Sequence, residues 1–482
     1  LSDRVGGRLL SVRLPCLPDV ACELGGMRYM STQRIVKWLI EQELNLPHMG
    51  APVAQPENLA YLRRKRLHVR DLDDAKKVPY DLDPEERKHP AELLARAIDV
   101  MAPEAKGKFG DELRKAVRTA TWGGRPLTDQ GFWNILSRLM TSEGYRFAQE
   151  AGGYDTTQLN WNAADTVVLN SDFSPDAEFS RVSDGYEEVP RQLAQRFVDQ
   201  GGRLHLHHGV QGLDAVTLSD GSTGVALKVV DTHGRGRTIR ARSVILAMPR
   251  RSLEMLEPTG PVLGDRGFRA LLPTVTPIPL FKAFIAYHQP WWERLGITAG
   301  RSVTDLPLRQ VYYWSSTLRK NSVLLATYDD TSNVGFWQGL AGDPRHYGLQ
   351  LDHLPKTARK RVESSPVDDR WMAQDAPAAL IEEIHRQLRE MHDVPNAPAP
   401  YAGVYHDWIG DPLGGGVNFW NIGVKSWRVI PKMVHPVADM PVYVCGEAYS
   451  DAQGWVEGAL RTAELLLTKH LKVPRLRLPK TG

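Results

Sequence analysis

The chain has 482 residues, 42% of them hydrophobic and 24% charged, with a net charge of +3. At ~100–200 residues per domain that allows roughly two to four domains and a large core. The near-neutral balance excludes the broad basic field of a nucleic-acid binder. Three cysteines, Cys16, Cys22 and Cys445, are too few and too scattered for a disulfide framework or a C-x-x-C metal site. No apolar run reaches the ~20 residues that span a bilayer, and Leu1-Ser2-Asp3-Arg4 is no secretory signal. A cytoplasmic location is the expectation.

The chain opens on Arg4-Val5-Gly6-Gly7-Arg8. Glycines there let backbone approach a ligand and Arg8 can meet a phosphate, although an ordinary glycine turn explains the run as well. Glu23-Leu24-Gly25-Gly26-Met27-Arg28 leads into an amphipathic helix over 33–43. An arginine fork matches a carboxylate, and solvent is its plain alternative partner. The charged stretch 58–96, with 91–101 and 110–119, reads as helices joined by Pro and Asp turns. From Val189 the pattern turns α/β: a helix over 190–200 ended by Gly201-Gly202, a strand over 203–208, paired strands around 232–236 and a buried strand over 243–248. His205 and His207 could share a strand face and hold a metal, but with no local acid or cysteine a half-exposed strand explains them.

Strands follow over 278–287 and 322–327, and a helix over 378–391. Lys282 sits inside the apolar run Leu280-Phe281-Lys282-Ala283-Phe284. A buried unpaired ammonium costs several kcal/mol, so Lys282 either faces water on an edge strand or has a task. Finally Val442 to Cys445 reads as a buried strand that feeds the turn Gly446-Glu447 and a helix beginning near Gly454-Trp455-Val456. A helix N-terminus suits an anionic or electron-rich ligand edge, and an acid after a strand can accept from sugar hydroxyls. An ordinary strand–turn–helix corner is the alternative.

The run from Gly446 to Ala459 closely resembles the C-terminal flavin motif of the flavin amine oxidase family, and the chain is most similar to its FAD-dependent L-amino-acid oxidases. The resemblance implies an α/β fold: a Rossmann-like FAD-binding domain, incomplete at its N-terminus, a mixed-sheet substrate domain and a helical subdomain. It places FAD-binding parts at 1–45, 181–272 and 431–482, a helical/substrate part at 46–180 and a substrate domain at 273–430. Glu447 would bind the ribityl chain, and Gly454, Trp455 and Val456 would face the flavin pyrimidine edge, with Gly454 and Trp455 also against the substrate. Arg4, Gly6, Gly7 and Arg8 match the segment after the second Rossmann strand. Gly26 and Met27 match cofactor contacts, and Arg28 matches both a cofactor contact and the substrate-carboxylate anchor. Lys282 matches the lysine that holds a water near flavin N5. Tyr328 matches a second carboxylate-binding group and Tyr312 a pocket tyrosine. In the loop Trp408 to Trp420, Trp420 would cap the pocket, and Val210 would contact adenine.

The implied reaction is oxidative deamination. Hydride passes to FAD, and the products are keto acid, ammonia and, with O2, hydrogen peroxide. Two alternatives stay open: a decarboxylating monooxygenase on the same fold that gives an amide, and a non-catalytic flavoprotein scaffold. The family's opening strand and G-x-G-x-x-G do not precede Leu1. The expectation is that further N-terminal residues or a second short chain supply them, in a homodimer or larger homo-oligomer. Asp172 and Asp176 are either selectors for a basic substrate or solvated loop acids.

Overall fold

Branched and aromatic residues crowd 280–287, 310–317 and 321–330, as suits strands covered on both faces. They form the middle of a seven-stranded sheet in the computed structural model, which describes residues 3–155, 159–172, 177–317 and 321–479. Asp176 and the side chain of Asp172 lie outside the described residues. In chain order the strands are β1 (Leu59–Leu62), β2 (Lys65–His68), β3 (Leu280–Tyr287), β4 (Arg301–Thr304), β5 (Gln310–Thr317), β6 (Asn321–Asp330) and β7 (Ala402–Asp407). Their spatial order is β7-β3-β6-β5-β4-β1-β2. All pairs are antiparallel except β4 with β1. β3 thus has a neighbour on each side, and Lys282 is not on an edge.

The helix Ala378–His392 closes one face of this sheet, setting Leu380, Ile381, Ile384 and Leu388 against Trp291, Trp292, Tyr313 and Trp337. The other face packs on the first thirty residues, where Val12, Leu24 and Met27 meet Tyr312, Trp314 and Trp408. The tryptophans in these two layers, Trp291, Trp292, Trp314, Trp337 and Trp408, are all core residues. A separate helical layer, including Phe132–Leu139, Ser142–Gly152 and Ala163–Asp172, has its own core around Phe132, Leu136, Tyr145 and Val167. The α/β part is assembled from the chain's start, middle and end: Val244–Ala247 pairs in parallel with Val442–Cys445, and the helix Val456–Lys469 packs against that strand pair's end of the molecule.

Three expectations fail in instructive ways. The stretch 58–96 contains the hairpin β1–β2, turned by Arg63 and Arg64 at φ +48° and +65°. A hairpin turn of that kind normally announces itself by Asn-Gly or Asp-Gly, and two arginines hide it. Residues 203–207 are not a strand: among the described residues they have no strand to pair with, and β-structure begins at His208. Val244–Ala247 is buried only at Val244 and Leu246, while Ile245 stays 42% exposed, because its pair with Val442–Cys445 is a two-stranded sheet among the described residues. No helix among the described residues is long and apolar enough to cross a membrane, and none of their His, Cys, Asp and Glu residues form a metal-binding group.

Candidate active site

The two glycine segments lie back to back. Gly26 N–H donates to the Arg8 carbonyl at 3.0 Å. A Cβ on Gly25 would sit 2.2 Å from that same oxygen, and one on Gly26 would sit 2.6 Å from Leu9 Cδ2. Close backbone approach, not φ, is what requires glycine at these two positions. Arg4 turns back on its own loop and donates to the carbonyls of Gly7 (2.6 Å) and Leu9 (2.8 Å), so its task is to shape the loop of Gly6 and Gly7. Arg8 Nη1 reaches across to Glu447 Oε2 at 2.6 Å and to the Gly416 carbonyl at 2.9 Å.

Glu447 is buried and its Oε1 accepts from the backbone N–H groups of Gly454 (2.8 Å) and Asn418 (3.1 Å). The two groups expected to meet a phosphate and ribityl hydroxyls therefore bond each other. Gly7 and Gly454 both have positive φ, +54° and +81°, and face open space where a side chain would be. Trp455, half-buried, is the N-cap residue of the last helix and makes no side-chain cap, and Val456 begins that helix. A paired acid and arginine, bare glycine backbone and an uncapped helix start form a cradle that fits FAD. Met27 is buried behind it in the sheet core. Val210 lies apart from this cluster, at a bulge in the strand His208–Thr217, where it packs near Val244 and Leu246.

Arg28 is 8% exposed, and among the described residues no carboxylate lies within ion-pair distance of it. Its Nη1 and Nη2 donate to the hydroxyls of Tyr312 and Tyr154, each at 3.3 Å. Its Cζ lies 4.5 Å from the ring centre of Phe179 and 5.7 Å from that of Tyr312. Tyr328 completes the cage, edge-on to Tyr154 at 5.4 Å. Gln310 anchors the floor: its Nε2 donates to the Tyr328 carbonyl, and its Oε1 accepts from Tyr312 Oη (3.3 Å) and Arg301 Nη1 (2.9 Å). Burial works against the charge on Arg28, but the surrounding phenols outweigh it and hold the guanidinium protonated. Burial likewise pushes Tyr312 up, yet Arg28 and Arg301 overcome it and draw the phenol below its usual range. Tyr154 is pushed well up, first by burial and then by Tyr312.

The sequence pointed to Arg28, Tyr312 and Tyr328, and the fold brings the three together. It gave no hint of Tyr154 or Phe179. Tyr154 follows Gly153, whose φ of +82° ends the helix Ser142–Gly152 and turns the chain inward. That C-cap glycine was the available signal. Phe179 lies on a strand, Phe179–Val182, that pairs with Tyr29–Met30 just beyond Arg28.

Lys282 is buried at 3% exposure, with Tyr328 and His406 as its cross-strand neighbours. Its Nζ donates to the carbonyls of Gly25 (2.6 Å) and Glu23 (3.2 Å) and lies 4.4 Å from the Tyr328 ring centre. Burial pulls it down to about 7, Glu23 opposing and Arg28 adding. Burial pushes Glu23 up to about 7 against hydrogen bonds from Tyr186 N–H and Ser11 Oγ. Trp408 Nε1 donates to the intervening Leu24 carbonyl at 2.7 Å. Three successive carbonyls ahead of Arg28 are thus pinned to the sheet. Trp420 is not part of the Arg28 cage: its backbone and ring bond Gln453 and Ser450, its ring packs on Tyr449, and with Trp161 and Phe419 it lines a separate cleft.

The sequence profile of the "Flavin containing amine oxidoreductase" family matches residues 1–465. Aplysianin-A of Aplysia kurodai is 26% identical over 494 residues, covering 98% of this chain and 84% of that protein. Achacin of Lissachatina fulica is 25% identical, covering 97% and 87%. An L-amino-acid oxidase of Mus musculus is 22% identical over 350 residues, covering 71% of this chain and 51% of its own length. Among solved structures, wild-type putrescine oxidase bound to putrescine superposes with a TM-score of 0.64 at 16% identity, covering 98% of this chain and 92% of that one, a likeness of fold.

Proposed function

The chain belongs to the flavin-containing amine oxidoreductases, and from that premise we propose that it is an FAD-dependent L-amino-acid oxidase. One observation carries the choice of substrate: a buried guanidinium, Arg28, whose described partners are phenols and none of them a carboxylate. A buried charge needs a counter-charge, and an amino acid brings one. An amine without a carboxylate brings none. The relatives named as L-amino-acid oxidases support the same reading.

FAD supplies the two-electron oxidation of the substrate Cα–N bond. The chain's own residues bind and orient. Arg28 grips both carboxylate oxygens with its fork, and the hydroxyls of Tyr154 and Tyr328 are placed to add hydrogen bonds. The aromatic walls exclude water, which strengthens each of these contacts. Lys282 holds the segment Glu23 to Gly25 by two carbonyls, and so fixes the loop from which Arg28 projects. The peroxide formed by holoenzyme with a panel of L-amino acids, D-amino acids and carboxylate-free amines tests the reading. The expected result is turnover of L-amino acids with keto acid and ammonia, and a kcat/KM for putrescine lower by at least about 10³-fold. Equal rates with putrescine would overturn it.

A further inference from the structure

The pocket holds more positive than negative charge. Arg28 donates to the hydroxyls of Tyr154 and Tyr312, Arg301 lies 5.6 Å from the Tyr154 ring centre and donates to Gln310 Oε1, and neither has a carboxylate partner among the described residues. The acids nearest to the cage are spoken for. Asp155 bonds Arg309, Asp330 accepts from the Asp155 N–H and lies on the Tyr328 side of the cage, and Glu23 bonds Ser11 and Tyr186. Tyr312 Oη is the point where the charges meet. It accepts from Arg28 Nη1, and its own hydrogen has only long routes, to Gln310 Oε1 and to Tyr154 Oη, each at 3.3 Å.

We propose that Tyr312 stands as a phenolate counter-ion to Arg28 before substrate binds and is the base that takes the proton from the substrate's ammonium. This rests on the reading of Arg28 as the carboxylate anchor. The draw of Arg28 and Arg301 on Tyr312, against burial, is in the direction required. The neutral Tyr154 is in the right state to donate to the phenolate. Tyr328 and Lys282 border the same space and hold no negative charge there.

The substrate triggers the transfer. Its carboxylate takes over as counter-ion to Arg28, the phenolate loses the field that stabilised it, and its proton affinity rises. The ammonium hangs from the same carbon as the carboxylate and arrives at that moment. One ammonium N–H bond breaks, an O–H bond forms on Tyr312, and the electron pair stays on nitrogen as the lone pair that oxidation needs. Nothing is oxidised or reduced in this step. Gln310 Oε1 accepts the new hydrogen. Departure of the carboxylate-bearing product restores the phenolate and sends the proton to solvent.

A carboxylate without an amine separates the parts. Benzoate is titrated into holoenzyme in weak buffer with a pH indicator, and binding is followed independently by the flavin absorbance. Wild-type protein is expected to take up protons as benzoate binds, at a pH below the ordinary phenol range of about 10. Tyr312→Phe is expected to bind benzoate with no uptake, and its kcat/KM at neutral pH to fall by about 10²-fold, recovering as the free substrate's ammonium ionises. Tyr154→Phe is expected to keep the uptake but move it to higher pH. Binding without uptake in the wild type overturns the proposal and leaves the anchor in place. So does uptake that survives Tyr312→Phe. Failure of benzoate to bind, or equal binding to Arg28→Met, overturns the anchor reading itself and the proposal with it.

Discussion

Arg28 and Lys282 are both cations inside the protein, but the fold treats them differently. Lys282 spends its hydrogen bonds on two carbonyls of the loop it supports, whereas Arg28 meets only phenols at 3.3 Å. When the guanidinium is removed, Tyr312 can take up a proton, so no uncompensated charge is left behind. Arg28→Met is therefore expected to leave the melting temperature unchanged or raised while kcat/KM for L-amino acids falls by about 2–4 kcal/mol in transition-state stabilisation. Calorimetry beside steady-state kinetics checks this, and a large loss of stability with normal kinetics would make Arg28 structural. At this scale the sequence was most legible where a rare residue sits in a rigid pattern, as Arg28 does after Gly25-Gly26-Met27. Tyr154 and Phe179 come from segments with no pattern of their own. Their value arises only from where the helix end at Gly153 and the strand beside Tyr29 put them.

Elements meet at this site through caps as much as through cores. The helix Arg34–Trp38 has no side-chain cap from Gln33; instead Glu457, on the last helix, accepts from the N–H groups of Ile35 (3.1 Å) and Val36 (2.9 Å). One carboxylate thus fastens the helix after Arg28 to the helix that begins at Val456. Glu457→Ala is expected to destabilise by about 2 kcal/mol, the scale of a lost cap to charged hydrogen bonds, and to raise KM, with Glu457→Gln recovering part of both. Equilibrium unfolding and initial rates test it; a KM that tracks wild type would confine Glu457 to stability. The β1–β2 turn makes the opposite case. Arg64 is exposed and sits at φ +65°, where only glycine is at ease. Arg64→Gly is expected to stabilise by about 1 kcal/mol, seen as a higher denaturant midpoint. The same arginines are why the hairpin was invisible in the sequence.

Across the whole molecule, the closing strand Val442–Cys445 and the helix Val456–Lys469 were readable because they form an unbroken pattern. The composition of the large sheet was not, since β1 and β2 join it from a stretch that looks helical. A buried polar chain crosses that junction. Leu59 N–H donates to Ser302 Oγ, Ser302 bonds Tyr313 Oη, Tyr313 bonds His392 Nε2, and His392 Nδ1 bonds the Leu388 carbonyl. Burial pushes His392 down to about 4 from an ordinary 6.5. The folded state therefore binds fewer protons than the unfolded one between those values, and stability falls as pH drops from 6.5 to 4. The contribution reaches about 3 kcal/mol at the acid end. Replacing His392 by Gln is expected to flatten that part of the stability curve, and a stability difference that stays constant over the window would show the histidine to be uninvolved. His385, also pushed down to about 4 by burial, adds a slope of the same sign.

The cage around Arg28 draws on residues 28, 154, 179, 312 and 328, so it exists only when segments from most of the chain have docked. Contacts of such long range are formed late and slowly. A small carboxylate that binds there recognises the finished fold and nothing earlier. By mass action, ligand at about a hundred times its Kd adds about 2.7 kcal/mol to the folded state. Benzoate in refolding buffer or growth medium should then act as a folding template: it would raise the yield of weakened forms such as Glu457→Ala and do nothing for Arg28→Met, whose template site is gone.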